Sequence, residues 1–260
     1  MPESRKEFEK DYYNKSSNSF FTENNPDKWN YGIGKDNQIL SAPYRYINKK
    51  FLNDIAGKKI LDYCCGKGEF SILPALRGAR VEGIDISDKS IEIANARADY
   101  WKVSDRTNFQ AMDAENLDFQ DKSFDIILSY SSLSYLDLDR TYAELSRVLK
   151  NDGFIVIIDT LGHNPVLNMN RRKYIKAGKR QQFHYDHILK FKDIILARKY
   201  FKVTSVLYFD LLVLVSYPFR KLPGFKVLYW MLRTIDKMIL KISPVNRLAF
   251  KVVFSLRQLG

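Results

Sequence analysis

Between residues 59 and 160, short apolar runs alternate with longer stretches of helical periodicity. Lys59–Tyr63 is one such run and ends in Cys-Cys-Gly-Lys-Gly. Arg80–Asp85, Thr107–Ala111, Phe124–Tyr130 and Phe154–Asp159 repeat it. The segments IIL and FIVIID are almost continuously apolar, as strands covered on both faces should be. Helices are predicted over Glu69–Arg77, which Pro74 limits, over 88–103 behind Ser87 as N-cap, and over Leu138–Val148. Asn151-Asp152-Gly153 reads as a turn. Strands and helices alternating at this spacing predict βαβ units and a parallel sheet.

Outside that stretch the pattern loosens. Residues 1–30 are polar with scattered aromatics (Tyr12, Tyr13, Phe20, Phe21, Trp29) and predict an arm with one short helix. Residues 39–56 look helical. Beyond 160, residues 162–182 read as loop plus short helix, Asp186–Lys199 as a helix, and Val203–Val215 as a long strand interrupted by Asp210. Pro218 and Pro223 flank a basic turn, and Leu248–Leu256 is a final strand. Lys226–Ile242 reads as an amphipathic helix, and Phe225–Ile242 carries apolar Phe225, Leu228, Tyr229, Leu232, Ile235, Ile239 and Ile242 at helical spacing.

Charge sharpens the division. Residues 1–160 hold 22 Lys+Arg against 26 Asp+Glu, whereas residues 161–260 hold 20 against 4. The whole excess behind the net charge of +12 lies in the second part, which is also rich in large apolar residues. That pairing points to an anionic surface, either a membrane or a nucleic acid. An apolar share of 45% excludes a disordered tail. Cys64 and Cys65 are the only cysteines and are adjacent, so no disulfide framework is available and small apolar fillers are their expected use. No metal site is expected from them, because the three histidines lie far off in sequence. No stretch has the roughly 18 uncharged apolar residues of a membrane span. The polar segment MPESRKEFEKDYY has no signal-peptide core, so a cytoplasmic location is expected.

The chemistry-bearing segment is Ile60-Leu61-Asp62-Tyr63-Cys64-Cys65-Gly66-Lys67-Gly68, a strand running into a glycine turn. Such a turn lets backbone N–H groups approach a ligand. The third glycine of the dinucleotide pattern is missing, so the fragment alone selects no cofactor. Asp85 ends the second strand, where a carboxylate can take two ribose hydroxyls, and Asp113-Ala114 follows the third, where a carboxylate can accept from an amino group. Asp62, Asp85 and Asp113 would share the carboxyl edge of an open α/β sheet. Simpler readings stand beside these: Asp62 as a turn cap, Asp113 in an Asx-turn, Ile86 and Met112 as core.

In order, ILDYCCGKG, GIDIS, AMDAENLDF, FDIILSYSSLSYL and ELSRVLKNDGFIVIID resemble the class I S-adenosylmethionine-dependent methyltransferases over about residues 55–160. The resemblance implies a Rossmann-like, doubly wound α/β fold with a seven-stranded, mostly parallel sheet and an antiparallel last strand. It implies a cofactor-binding core over 51–160, an arm and helical lid over 1–50, a substrate-side insertion over 161–200, and C-terminal strands with a basic helical insertion over 201–260. Carried over by position, Asp62 and the turn Cys64–Gly68, with Gly66 and Gly68, would hold the methionine part of S-adenosylmethionine. Asp85 would bind the ribose, Ile86 and Met112 would face the adenine, Asp113 with Ala114 would meet its amino group, and Ser129 would lie beside the sulfonium. S-adenosylhomocysteine would be the product. The family usually has Gly where this chain has Cys64, although some members share the paired cysteines.

Methyl transfer needs alignment above all, and a hydroxyl nucleophile also gains from a base. His163 follows the fifth strand, and His187 lies in His184-Tyr185-Asp186-His187; both are candidate catalytic groups. Leu161–Leu189 and the tail resemble, more loosely, small methyltransferases found with bacterial surface-polysaccharide enzymes. That likeness implies O-methylation of a sugar or lipid-linked glycan acceptor at the inner membrane face. A methyltransferase of quinones or other small metabolites, with the tail as an oligomer surface, is the alternative. An RNA-binding or RNA-modifying protein is the third reading and the least supported, since no aromatic-interleaved RNA motif is present.

Overall fold

The computed structural model describes residues 3–22, 40–177 and 182–259; residue 39 and Trp29, both part of the sequence reading, lie outside them. The strands are β1 (Lys59–Tyr63), β2 (Arg80–Asp85), β3 (Thr107–Ala111), β4 (Phe124–Tyr130), β5 (Leu149–Thr160), β6 (Phe201–Phe209) and β7 (Lys251–Gln258). They form one seven-stranded sheet in the order β3-β2-β1-β4-β5-β7-β6. The strands from β1 to β5 pair in parallel, and β7 lies antiparallel between β5 and β6. Six strands therefore run one way and β7 the other, as the family resemblance implies.

Alternation explains why the central strands read as unbroken apolar runs. Leu61, Tyr63, Ile127, Ile155 and Ile157 enter one buried cluster. Ile60, Ile126, Leu128, Val156 and Ile158 enter the other. Successive side chains point to opposite faces, so both faces are covered and each buried aliphatic contributes about 1.5–3 kcal/mol.

The helices are α1 (Glu3–Thr22), α2 (Ala42–Lys50), α3 (Ile72–Leu76), α4 (Asp88–Tyr100), α5 (Leu138–Val148), α6 (Pro165–Lys176), α7 (Gln182–Asp186), α8 (Phe191–Leu196) and α9 (Phe225–Ile239). Ser87 caps α4 as expected, its side chain accepting from the Ser90 N–H. Helix α3 is shorter than the predicted 69–77. Its first turn holds Pro74, where the missing N–H falls among donors without an intrahelical partner.

Several expectations are corrected. The N-terminal helix is long, 20 residues, not short, because tertiary anchors hold a face with little apolar periodicity. Lys10 pairs with Asp88, and Ser17 meets Ser90. The predicted turn at Asn151–Gly153 lies inside β5, as an irregularity beside the Phe124/Ile126 register shift. The helix predicted over 186–199 is broken at Lys190, whose N–H is captured by Asp193 at the start of α8. Strand β6 stops at Phe209 because Asp210 is buried with a left-handed φ of 65°, and residues 212–219 form a 3₁₀ segment rather than more strand. The last strand starts at Lys251, after a 3₁₀ turn at Val245–Leu248.

Candidate active site

A cavity of about 220 Å³ opens at the carboxyl ends of β1, β2 and β4. The edge is built by chain reversal. Cys64 leaves β1 with φ 58°, the Cys65 N–H returns to the Ile84 carbonyl at 2.8 Å, and the Gly68 N–H closes the turn on the Cys65 carbonyl at 3.0 Å. Gly66 lies in the cavity wall with φ 52°, and a Cβ there would project into open space. Gly68 is not in the wall. A Cβ on it would come within 3.0 Å of the Ala94 Cβ, so its smallness lets α4 pack against the turn.

Asp85 accepts from the Gly66 and Ser87 N–H groups, both at 3.0 Å. Two fixed backbone donors orient the carboxylate and leave it further lone pairs. Burial still holds its pKa above the usual carboxylate range. Asp62 is buried and accepts from the Ser71 hydroxyl. Burial raises its pKa to about 7, against the opposing effect of that hydrogen bond. Asp113 accepts from the Glu115 N–H at 2.9 Å, the Asx-turn geometry, and pairs with Lys6 of α1 at 2.5 Å. Arg5 pairs with the buried Glu115. Burial alone would raise Glu115, but the Asp137 N–H, Arg5 and Lys6 hold its pKa below normal. Tyr13 of α1 packs edge-on against Tyr135 at 5.8 Å and forms part of the wall.

Of the residues singled out from sequence, Asp62, Cys64, Gly66, Asp85, Ile86, Asp113 and Ala114 all line this one cavity. Met112 does not; it is half-buried against the core, and its N–H donates to the Asp85 carbonyl at 2.9 Å. Ser129 sits one layer behind, fully buried, with its hydroxyl 2.6 Å from that of Ser132, which does line the cavity. Burial pushes the thiols of Cys64 and Cys65 well up, which disfavours the reactive thiolate.

Neither expected catalytic histidine reaches the cavity. His163 Nε2 accepts from the Phe191 N–H at 3.1 Å, so the ring is committed to the start of α8. Burial, Arg247 and Lys190 lower its pKa. His187 is exposed, stacked on Phe183 at 3.9 Å between ring centroids.

The structure adds residues that the sequence did not mark. Phe70 and Tyr130 stack at 4.2 Å in the cavity wall, and Tyr44 stacks on Phe70 at 5.0 Å. Behind them, Lys251 of β7 donates to Ser131 Oγ at 3.0 Å and Tyr44 Oη at 3.2 Å. Tyr130 ends the strand read as Phe124–Tyr130 and Phe70 lies two residues past Gly68, so adjacency to the glycine turn and the strand end was a usable signal. The salt bridges of Arg5 and Lys6 span more than a hundred residues and leave no local trace.

The donor set suits a nucleoside-bearing cation: carboxylates at the ends of β1 and β2, one just past β3, a glycine turn open to the cavity, and apolar Ile86 and Ala114 between them. No cluster of metal-ligating side chains occurs among the described residues.

Comparison with known proteins agrees with that chemistry. Residues 61–157 match the family model described as a methyltransferase domain. That stretch is similar to the methyltransferase domain of S-adenosylmethionine-dependent enzymes. The demethylmenaquinone methyltransferase of Lactobacillus johnsonii is 30% identical over 136 residues, covering 49% of this chain and 56% of that protein. The 27-O-demethylrifamycin SV methyltransferase of Amycolatopsis mediterranei is 38% identical over 112 residues, covering 41% and 40%. The chain thus spans about half the length of these curated relatives. In fold it is similar to the geranyl diphosphate C-methyltransferase of Streptomyces coelicolor A3(2), with a TM-score of 0.63, 17% identity and full coverage of both chains.

Proposed function

We propose that this protein transfers a methyl group from S-adenosylmethionine to an oxygen of a small acceptor, a sugar or a lipid-linked glycan, handled at a membrane face. The observation that carries the reading is the convergence of Asp62, Asp85 and Asp113, from the ends of three adjacent strands, on one cavity beside an open glycine turn. In this reading Asp85 holds the ribose hydroxyls, Asp113 meets the adenine amino group in exchange for Lys6, and Asp62 with the Cys64–Gly66 backbone holds the methionine part. The bound cofactor would supply a methyl group already activated by a sulfonium charge.

The chain's own task is then to align and to exclude water. Phe70 and Tyr130 offer aromatic faces that favour a nearby cation. Helix α1 acts as a lid, with Tyr13 and the Lys6–Asp113 pair closing the adenine end. His163 and His187 stay outside this scheme because neither lines the cavity. A quinone acceptor is the second reading, favoured by the demethylmenaquinone methyltransferases among the relatives.

Incubation with methyl-labelled S-adenosylmethionine and a fractionated extract of its source cells tests the proposal. Label in the glycan or lipid-linked sugar fraction supports the first reading, and label in the quinone fraction the second. Label confined to RNA would overturn both acceptors. Failure to bind the cofactor would overturn the enzyme itself.

A further inference from the structure

Helix α9 is apolar on its outward side as well as its inward one. Its inward face carries Tyr229, Arg233 and Asp236. Arg233 pairs with the buried Asp210, and the Asp236 carboxylate accepts from the N–H groups of Leu211, Leu212 and Val213 at 2.8–3.1 Å. Polar groups therefore fasten the helix to the body. The outward face carries large apolar side chains: Val227 is 74% exposed, Trp230 58%, Met231 53% and Met238 58%. Their spacing of three, four and seven residues places them on one side. This is not the apolar stripe the sequence suggests, whose members are mostly half-buried against the body.

Lys226, Lys237 and Lys241 are exposed and fall along one edge of that face. The neighbouring Arg220 and Lys221 are exposed too, as are Tyr217, Phe219 and Leu222. Asp210 and Asp236 are the only acidic residues from 201 to 260, and both are buried. The surface that residues 217–241 present is apolar and basic, with no exposed acid of their own to offset it. No helix among the described residues is long and apolar enough to cross a membrane.

We propose that the outward face of α9 is a docking surface for an anionic phospholipid bilayer, on which the helix lies in the interfacial plane. Trp230, Met231 and Met238 enter the headgroup–acyl boundary, and the lysines meet anionic headgroups. Charge complementarity selects the occupant. A second copy would bring the same basic edge, and an aqueous partner would leave the methionines and tryptophan without apolar cover. The surface does not depend on the methyl-transfer reading, and its test measures lipid binding alone.

The test is sedimentation of the full chain with vesicles of phosphatidylcholine, with and without phosphatidylglycerol. Binding is expected to the anionic vesicles and to weaken by about fivefold for each lysine changed in Lys226→Gln, Lys237→Gln and Lys241→Gln. The triple variant Trp230→Gln/Met231→Gln/Met238→Gln should abolish it. All these side chains are exposed, so circular dichroism and cofactor binding should match the parent. Equal binding to neutral vesicles, no binding to either, binding unchanged by the triple variant, or concentration-dependent dimerisation lost in that variant without lipid binding would each overturn the proposal. So would salt-sensitive capture of RNA in place of vesicles.

Discussion

The carboxyl edge of the sheet and the segment from 201 to 250 use buried acids in opposite ways. At the edge, Asp85 is held by backbone N–H groups and still lines a cavity, so part of its hydrogen-bonding capacity faces that cavity. In the later segment, Asp210 gives one oxygen to Arg233 while its other oxygen is buried without a partner among the described residues, and Asp236 spends both of its oxygens on the backbone that leaves β6. The first arrangement is poised for binding; the second fixes a helix whose free face is apolar. A buried carboxylate is informative through what remains of its valence, not through burial alone.

Arg233→Met breaks the contrast most severely. It leaves Asp210 buried without its cation, and loss of one partner of such a pair costs about 3–5 kcal/mol. Chemical denaturation should show that loss, whereas α9 surface variants should be near neutral. Next comes Asp85→Ala, which should weaken S-adenosylmethionine binding roughly 100-fold by calorimetry, the scale of two charge-assisted hydrogen bonds. Its unfolding midpoint should stay within a few degrees of the parent.

Asp62 sharpens the comparison through pH. Its folded-state pKa of about 7 lies above the ordinary 3.8, so the folded protein holds an extra proton between those values. The carboxyl group thus costs stability increasingly as pH rises from about 4 to 7, and Asp62→Asn should relieve that cost at pH 8 but not at pH 4. Binding of a cationic cofactor should favour the ionised form, so affinity should climb about tenfold from pH 6 to 8 in the parent and stay flat in Asp62→Asn. The smallest effect is expected at the histidines. His163→Ala and His187→Ala should each change kcat by less than about twofold, and a loss of 100-fold or more with a shifted pH profile would restore a base to the mechanism.

What was legible follows the same division. β1 to β4 and the acids at their ends could be read because a strand and the turn after it are local events. The apolar run sets the strand, the glycine turn ends it, and the carboxylate lies at the junction. Asp113 in its Asx-turn was equally local. Helix α1 was underestimated because its anchors, Lys6 to Asp113 and Lys10 to Asp88, join distant parts of the chain. His163 was expected near the edge because it follows the fifth strand, and His187 was singled out because Asp186 stands beside it, yet neither lines the cavity. The helix read over Asp186–Lys199 begins only at Phe191. The Asp193 carboxylate caps it at Lys190, and a single side-chain hydrogen bond of that kind is not visible in periodicity. The outward apolar face of α9 was missed because the stripe read from spacing is the one mostly half-buried against the body, and Val227, Trp230, Met231 and Met238 lie outside it.

The antiparallel strand has a consequence for the order of assembly. β6 touches the rest of the sheet only through β7, yet it leaves the ribosome first. It must wait, unpaired along both edges, while some forty residues including α9 are synthesised, until β7 slides between it and β5. The same late insertion delivers Lys251 to Tyr44 and Ser131. Completion of the sheet and support of the aromatic wall therefore coincide in one folding event, and a nascent chain halted before β7 would possess neither.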